Sequence, residues 1–458
     1  MTYRSKVATV FLLGFFIDLI TLFIGSVAYP TIGHSLHASV AELAWVSNGY
    51  ILGLTLVIPV SAWLSQRIGA RRVFLISLLL FSVATAGAGL APSLAALIGW
   101  RVVQGIGGGL IIPVGQALTW RLYPPQQRAR LSAAVMLVGL LAPALSPSLG
   151  GLLVTTLSWR GIFMVSLPVS LLTLLLAACW IKREPLPAIR PPLHVTGLLS
   201  GCGALAALLL GLTWISEPAR RPQAVALLLT GGLLAALFIR SSRRHAHPLL
   251  PMHPGQLMRF AMTVYQCVPG MFIGISLIAM FYLQAQLGLT PVACGMLMLP
   301  WSLASGLAIV LTGKRFNHIG PRPLIVTGCL LQALGIGVLA QVTAPVPLPG
   351  LMLAFALMGA GGSLCSSTAQ SSAFLETDDD ALPHASALWT VNRQLSFCFG
   401  VALLSLLLDL LSAHLALSLA YQLTFYSAAL ISLLPILASF GLDNRAIVRR
   451  LSPHKESV

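Results

Sequence analysis

The sequence predicts an all-α integral membrane protein of about fourteen spans, and three observations carry that expectation. The chain is 57% hydrophobic and only 8% charged, with a mean hydropathy of +0.90. A soluble chain needs roughly a quarter of its residues charged to make a surface. Apolar segments then recur along the whole chain at the ~20-residue length that crosses a bilayer. Finally, the basic residues sort by side. Of the 27 Lys and Arg, 22 fall on one set of alternating ends and loops, 3 on the other set and 2 within spans. That asymmetry puts both termini in the cytoplasm.

The spans run near 7–29, 43–65, 73–91, 94–120, 131–155, 159–181 and 194–215. They continue near 222–240, 259–283, 291–313, 323–342, 349–373, 385–410 and 421–441. The seventh and eighth are short and joined by Ser216–Arg221, and a re-entrant pair there would reduce the count to about twelve. The first residues imitate a signal peptide, with Arg4 and Lys6 before an apolar run ending in Ser26-Val27-Ala28. The run is too long for a signal core and carries Asp18 at its centre. The 7 cysteines all fall within spans, which suits packing residues rather than a disulfide framework or metal site.

A net charge of +16 would suit nucleic acid, but its position makes it a topology signal and a lipid-headgroup contact. One loop on the basic side breaks the trend: Glu376-Thr377-Asp378-Asp379-Asp380 is acidic. It reads either as a solvated loop or as a docking patch for the basic loops of the other half. No P-loop, H-E-x-x-H or cluster of intramembrane acids is present in the sequence to run chemistry or use ATP. A membrane sensor or enzyme is therefore the weakest reading, and no cofactor is expected.

Two cations and one acid lie where charge is expensive. Arg101 opens the fourth-span run Arg101–Leu118, which holds Gln104 and five glycines. An arginine there costs at least ~2.5 kcal/mol on insertion scales, so a partner or a pathway is expected for it. Asp18 sits near the middle of the first span. At ~1.5 Å per residue it lies ~14 Å below the outer face, with Arg101 ~10 Å below the same face. The two are expected to pair and to act in proton coupling, because burial favours a neutral carboxyl group and a nearby guanidinium favours a charged one. A permanent pair that only holds the helices together is the competing reading. Arg393 is the second buried cation, in the thirteenth span beside Gln394. Thr21, Tyr50, Gln104, Gln266, Trp301, Trp389, Arg393, Gln394 and Phe397 are the candidates for a substrate pocket, apolar with a few polar handles.

Two further motifs concern movement. In the fifth span Pro143, Pro147, Gly150 and Gly151 fall within ten residues, which suits a kinked helix with a smooth contact face. After the second span comes Arg67-Ile68-Gly69-Ala70-Arg71-Arg72, and after the tenth Lys314-Arg315…Gly320-Pro321-Arg322. The match is an internal repeat, the signature of a two-fold transporter with its site between the halves. Arg67, Gly69, Arg71, Arg72 and the proline–glycine run are the expected gating residues.

These residues resemble the fourteen-span drug:proton antiporters of the major facilitator superfamily, over nearly the whole chain. The resemblance rests on Arg101–Leu118, Pro143–Gly151, Trp159–Phe163 with Pro168, Phe281–Gln284 with Leu287-Gly288, and Asn392–Leu395. It implies two six-helix bundles with pseudo-two-fold symmetry, at 1–183 and 259–458, joined by two linking spans within 184–258. It implies multidrug efflux of lipophilic compounds by alternating access, driven by protons, in a bacterial cytoplasmic membrane. In a double-membraned bacterium, a periplasmic adaptor and outer-membrane channel would be partners. Export of an endogenous anionic metabolite is the second reading, favoured by Arg101 and Arg393. The sequence departs from the family pattern in three places. The family's aspartate position is occupied by Thr21, with Asp18 one turn away, Ser26 replaces an asparagine, and Gln66 stands where the loop motif has an acid.

Overall fold

Inside hydrocarbon, backbone N–H and C=O groups must bond within their own segment, so apolar stretches of this length become helices. The computed structural model describes residues 1–38, 40–183, 192–215, 217–245, 249–250, 254–342 and 348–451. Arg190, Ser216 and Lys455 lie outside them, as do the side-chain surroundings of Ser26, Pro147 and Gly151.

The N-terminal bundle comprises α1 (Tyr3–Val27), α2 (Trp45–Ile68), α3 (Ala70–Gly89), α4 (Leu94–Trp120), α5 (Pro125–Leu157) and α6 (Trp159–Trp180). Two linking helices follow, α7 (Val195–Trp214) and α8 (Pro218–Arg244). The C-terminal bundle comprises α9 (Gln256–Gln284), α10 (Ala293–Ile319), α11 (Pro321–Ala340), α12 (Leu348–Ala373), α13 (Leu382–Ser412) and α14 (Leu417–Ser439). A short amphipathic helix, α15 (Asn444–Leu451), closes the described chain.

Among the described residues, 13 helices are long and apolar enough to cross a membrane. The fourteenth is α5, whose 33 residues reach ~50 Å at 1.5 Å each. It runs unbroken past Pro143 and Pro147. The linking pair, weakest in the sequence, forms two full helices packed on each other. They turn leucines such as Leu229 and Leu233 outward, each 72% exposed, as a lipid-facing surface would.

Each bundle has its own core. Val10, Ile17, Phe74, Phe81 and Leu110 fill the first, and Met271, Ile275, Ile336, Phe355 and Phe425 the second. A third cluster belongs to both, with Phe11, Phe15 and Trp120 meeting Tyr265, Phe374 and Trp389. Across the seam α5 packs on α10 and α12, and α2 and α4 on α13, while α7 leans on α2 and α13.

The internal repeat is visible in geometry. Gly69 and Gly320 both take positive φ, 91° and 79°, to turn the chain between α2 and α3 and between α10 and α11. Glycine adopts that conformation without the strain a Cβ would bring. Two residues after each glycine stands an arginine that reaches the end of the equivalent helix. Arg71 donates to the carbonyls of Ile181 (2.6 Å) and Ala178 (2.8 Å) at the end of α6. Arg322 lies over the Phe440 ring, 4.6 Å from its centroid, at the end of α14.

Candidate functional site

The glycines of α4 decide how close its neighbours come. Gly105 and Gly109 abut the backbone carbonyls of Tyr50 and Leu54 in α2, and Gly53 of α2 abuts Val102 in return. A Cβ at any of these positions would overlap backbone atoms, so α2 and α4 meet at the distance only small residues allow. Gly108 opens the space that Asp18 and Tyr50 use. A Cβ there would sit 2.8 Å from the Tyr50 hydroxyl and nearer still to the Asp18 carboxylate.

Asp18 is 1% exposed, and its carboxylate accepts a short hydrogen bond from the Tyr50 hydroxyl. The guanidinium of Arg101 does not reach it. It lies over the Tyr50 ring at 4.4 Å, with the Phe163 ring at 6.0 Å. Its Nε donates to the carbonyl of Val46 (3.0 Å) and its Nη1 to Gln104 Oε1 (2.7 Å). Gln104 in turn donates to Thr85 (2.6 Å), whose hydroxyl donates to the carbonyl of Phe81.

The direct Asp18–Arg101 pair expected from depth is therefore corrected. Tyr50 stands between them, hydrogen-bonded to the acid and offering its π face to the cation. Depth gave the axial separation, but the direction of Arg101 was fixed by a carbonyl and an amide on its own side. The Nη2 of Arg101 and the hydroxyl of Thr21 are buried without a hydrogen-bond partner.

The other half supplies Arg393, partly buried in α13 and 5.5 Å from the centroid of Phe15 in α1. Around it are Tyr265 and Phe397, whose rings are 6.1 Å apart. Gln394 and Phe397 are partly buried. Gln266 opens a π-helical turn of α9, Gln266–Gly270, and donates to Asn392 (3.1 Å). Trp301 is partly buried and stacks on Phe272 at 5.3 Å. Three expected pocket residues instead belong to packed interiors. Tyr50 and Gln104 are 0% exposed and engaged with Asp18 and Arg101. Trp389 is 1% exposed and donates to Gln370 (2.6 Å).

The bundles are tied together at the end that carries both described termini. Gln66 of α2 and His384 of α13 are hydrogen-bonded at 2.9 Å, and His384 also meets the carbonyl of Leu249. Arg121 donates to the backbone of Asp379 (3.0 Å). Arg128 donates to the carbonyl of Phe374 (2.9 Å) and pairs with the Asp379 carboxylate at 3.3 Å. Asn317 donates to the carbonyl of Gln126 (2.6 Å), and Trp120 sits edge-on to Phe374 at 5.7 Å. The acidic loop thus takes arginines of the other half, and a cleft of about 680 Å³ remains among Arg121, Arg128, Asp379 and Arg450.

Gln66, which replaces the acid of the loop motif, makes a neutral cross-bundle bond in its place. Of the other expected gating residues, Arg71 caps α6, Arg67 is exposed over the Trp63 ring (5.5 Å), and Arg72 is exposed. Pro143 is partly buried and Gly150 buried in α5. Sequence reasoning missed the roles of Gly108, Thr85 and His384. Only the partner helix gives those residues their meaning, so no single-segment pattern marks them.

Two related helical bundles, fourteen membrane helices and isolated charges at their centre define a membrane transporter rather than an enzyme. The chain belongs to the Major Facilitator Superfamily, whose sequence profile matches residues 11–280 and 262–456. It is similar to the multidrug resistance protein B homolog of Mycobacterium tuberculosis (strain CDC 1551 / Oshkosh), 36% identical over 397 residues, 84% of this chain and 72% of that one. It is 32% identical over 404 residues to the drug efflux pump JefA of the same strain, covering 86% of this chain and 78% of the relative. The putative multidrug resistance protein MdtD of Pectobacterium carotovorum subsp. carotovorum (strain PC1) is 27% identical, covering 88% and 87%. In fold it is similar to the human organic anion transporter MFSD10 (TETRAN), with a TM-score of 0.68 at 18% identity, covering 96% of this chain and 100% of that one. The proton:xylose symporter XylE gives 0.63 at 16% identity, covering 94% of each.

Proposed function

We propose that the protein exports small lipophilic compounds by proton-coupled antiport, alternating access between the two sides of a bacterial cytoplasmic membrane. The drug-efflux part is supported by relatives named for multidrug resistance or drug efflux that cover more than four-fifths of the chain.

Proton coupling is supported above all by Asp18. It is a buried carboxyl group in the first membrane helix, bonded to a neutral hydroxyl and without an ion pair among the described residues. The charged and neutral forms of such a group differ greatly in cost within a membrane, so gaining or losing a proton changes which arrangement of the bundle is preferred. Arg101 senses that change through Tyr50, and α4 carries Arg101.

The termini are placed in the cytoplasm, following the distribution of basic residues. The tied end is then the inner end, and the conformation described is one shut towards the cytoplasm. Opening it would require separating Gln66 from His384, Arg121 and Arg128 from the Phe374–Asp379 segment, and Asn317 from Gln126, polar exchanges in which water can replace each partner.

The test is transport by the purified protein in proteoliposomes. With an imposed pH gradient, ethidium should move against its own concentration gradient, and the movement should stop when nigericin collapses the gradient. Ethidium movement that is the same with and without nigericin would remove proton coupling from the account.

A further inference from the structure

Among the described residues, α13 holds a guanidinium, Arg393, to which no side chain or carbonyl of the protein hydrogen-bonds. Arg393 lies in α13 and covers the ring of Phe15, across the seam in α1, at 5.5 Å. The ring occupies one face of the guanidinium, while its five N–H donors point along its edges. Among the described residues those donors have neither a hydrogen-bond acceptor nor an ion-pair partner. Arg101 Nη2 is fully buried, whereas Arg393 is only partly buried.

The acids that might answer this charge are occupied. Asp18 is the carboxylate whose field reaches Arg393, but it is 1% exposed and bonded to Tyr50. Asp409 pairs with Arg221, Asp379 pairs with Arg128, and Glu376 accepts from the backbone of Leu257. Asp443 caps the start of α15. A cation among membrane helices is costly and needs a counter-charge. Among the described residues no carboxylate bonds to this guanidinium, and Asp18 reaches it only through its field, so its donors are left for a ligand.

We propose that Arg393 is an anion-accepting position within the substrate site, taking the carboxylate or sulfonate of a compound with an aromatic body. The inference rests on the export reading and names its substrate class. The planar fork of a guanidinium suits two parallel bonds to such a group. Phe397, partly buried, offers ring surface for the apolar body, backed by the buried rings of Tyr265 and Phe15. Amphipathic anions then belong among the lipophilic compounds this centre holds.

A matched pair of probes tests this: 4-(1-pyrenyl)butyrate and its neutral amide. Each is titrated onto the full chain in phosphatidylcholine nanodiscs in chloride-free buffer, with energy transfer from tryptophan to pyrene as the signal and empty nanodiscs as the blank. The wild type should bind the acid about tenfold or more tighter than the amide, the worth of a charge-assisted hydrogen bond. Arg393→Gln should bring the ratio close to one. Arg393→Lys, which keeps the charge but loses the fork, should give an intermediate ratio.

Equal binding of acid and amide by the wild type would overturn the proposal, and that result needs no variant to fold. A ratio that survives in a folded Arg393→Gln protein would overturn it too. If added chloride or phosphatidylglycerol erases the ratio, Arg393 is filled by a halide or lipid headgroup and the substrate role is overturned. The export reading fails differently, through a wild type that binds the acid selectively yet moves neither it nor ethidium in proteoliposomes.

Discussion

A carboxylate in a membrane helix has few ways to be tolerated, and the one Asp18 uses is a hydrogen bond from Tyr50 rather than a guanidinium. That arrangement makes Tyr50 the connection between an acid on α1 and a cation on α4. Its hydroxyl faces Asp18, and its ring lies 4.4 Å from Arg101. Tyr50→Phe separates the two functions, since it keeps the ring and deletes the hydroxyl. Leaving the buried carboxyl group without its bond should cost about 1–3 kcal/mol. We expect a lower midpoint of thermal unfolding in detergent and weakened coupling of ethidium efflux to the pH gradient. Unchanged values for both would mean that the hydroxyl is idle and that Arg101 responds to Asp18 by another route. The sequence pointed to Asp18 and Arg101 as a pair and to Tyr50 as a pocket residue, because polar residues stand out against an apolar background. It could not supply their order in space. Three helices meet there, and the rotation of each about its axis is set by packing that no single segment encodes.

At the scale of elements, the fold was the more legible part. Spanning length gave the helices, and the paired loop motifs gave the two-fold relation that Gly69 and Gly320 express in their backbone angles. The glycines of α4 stand out in the sequence, but their partners were not readable. Gly105 and Gly109 meet α2, Gly107 meets Phe81 of α3, and Gly115 meets Phe11 and Phe74. These contacts rank the substitutions. Gly105→Leu would drive a side chain into Tyr50 and into the Leu54 nitrogen, 2.9 Å from the new Cβ. Overpacking of this kind costs about 1–3 kcal/mol or more. Gly99→Ala on the same helix meets nothing within 4 Å and gains helix propensity. Melting curves followed by size-exclusion chromatography should show a marked loss for the first and none for the second. Equal melting points would mean that α2 and α4 do not depend on close approach.

For the whole molecule, the question is what opens. The sequence raised the acidic loop as a docking patch for basic loops, and the structure joins Asp379 to Arg121 and Arg128. It also marked Gln66 as a departure from the loop motif after the second span, and a bond to His384 stands there. Neither could be settled from the chain alone, since the partners are more than 200 residues apart in sequence. If this end must open during the cycle, holding it shut should stop transport. In a Gln66→Cys/His384→Cys protein on a background without reactive cysteines, a short bifunctional thiosulfonate should arrest ethidium efflux, and a reductant should restore it. Continued efflux by the fully cross-linked protein would show that these helix ends do not part.

The claim on which the rest depends is that Asp18 carries the proton, and its replacement by an amide addresses that most directly. Asparagine can hydrogen-bond to Tyr50 but cannot titrate. The measurement is ethidium accumulation by proteoliposomes under an imposed pH gradient, with wild type, Asp18→Asn, and Asp18→Asn combined with Thr21→Asp. The account predicts uphill movement by the wild type and none by Asp18→Asn, while downhill exchange of ethidium persists in the variant. Recovery in the double variant would show that a carboxyl group one turn along α1 serves as well. Uphill, nigericin-sensitive movement by Asp18→Asn at the wild-type rate would contradict the account and leave Asp18 as a structural partner of Tyr50.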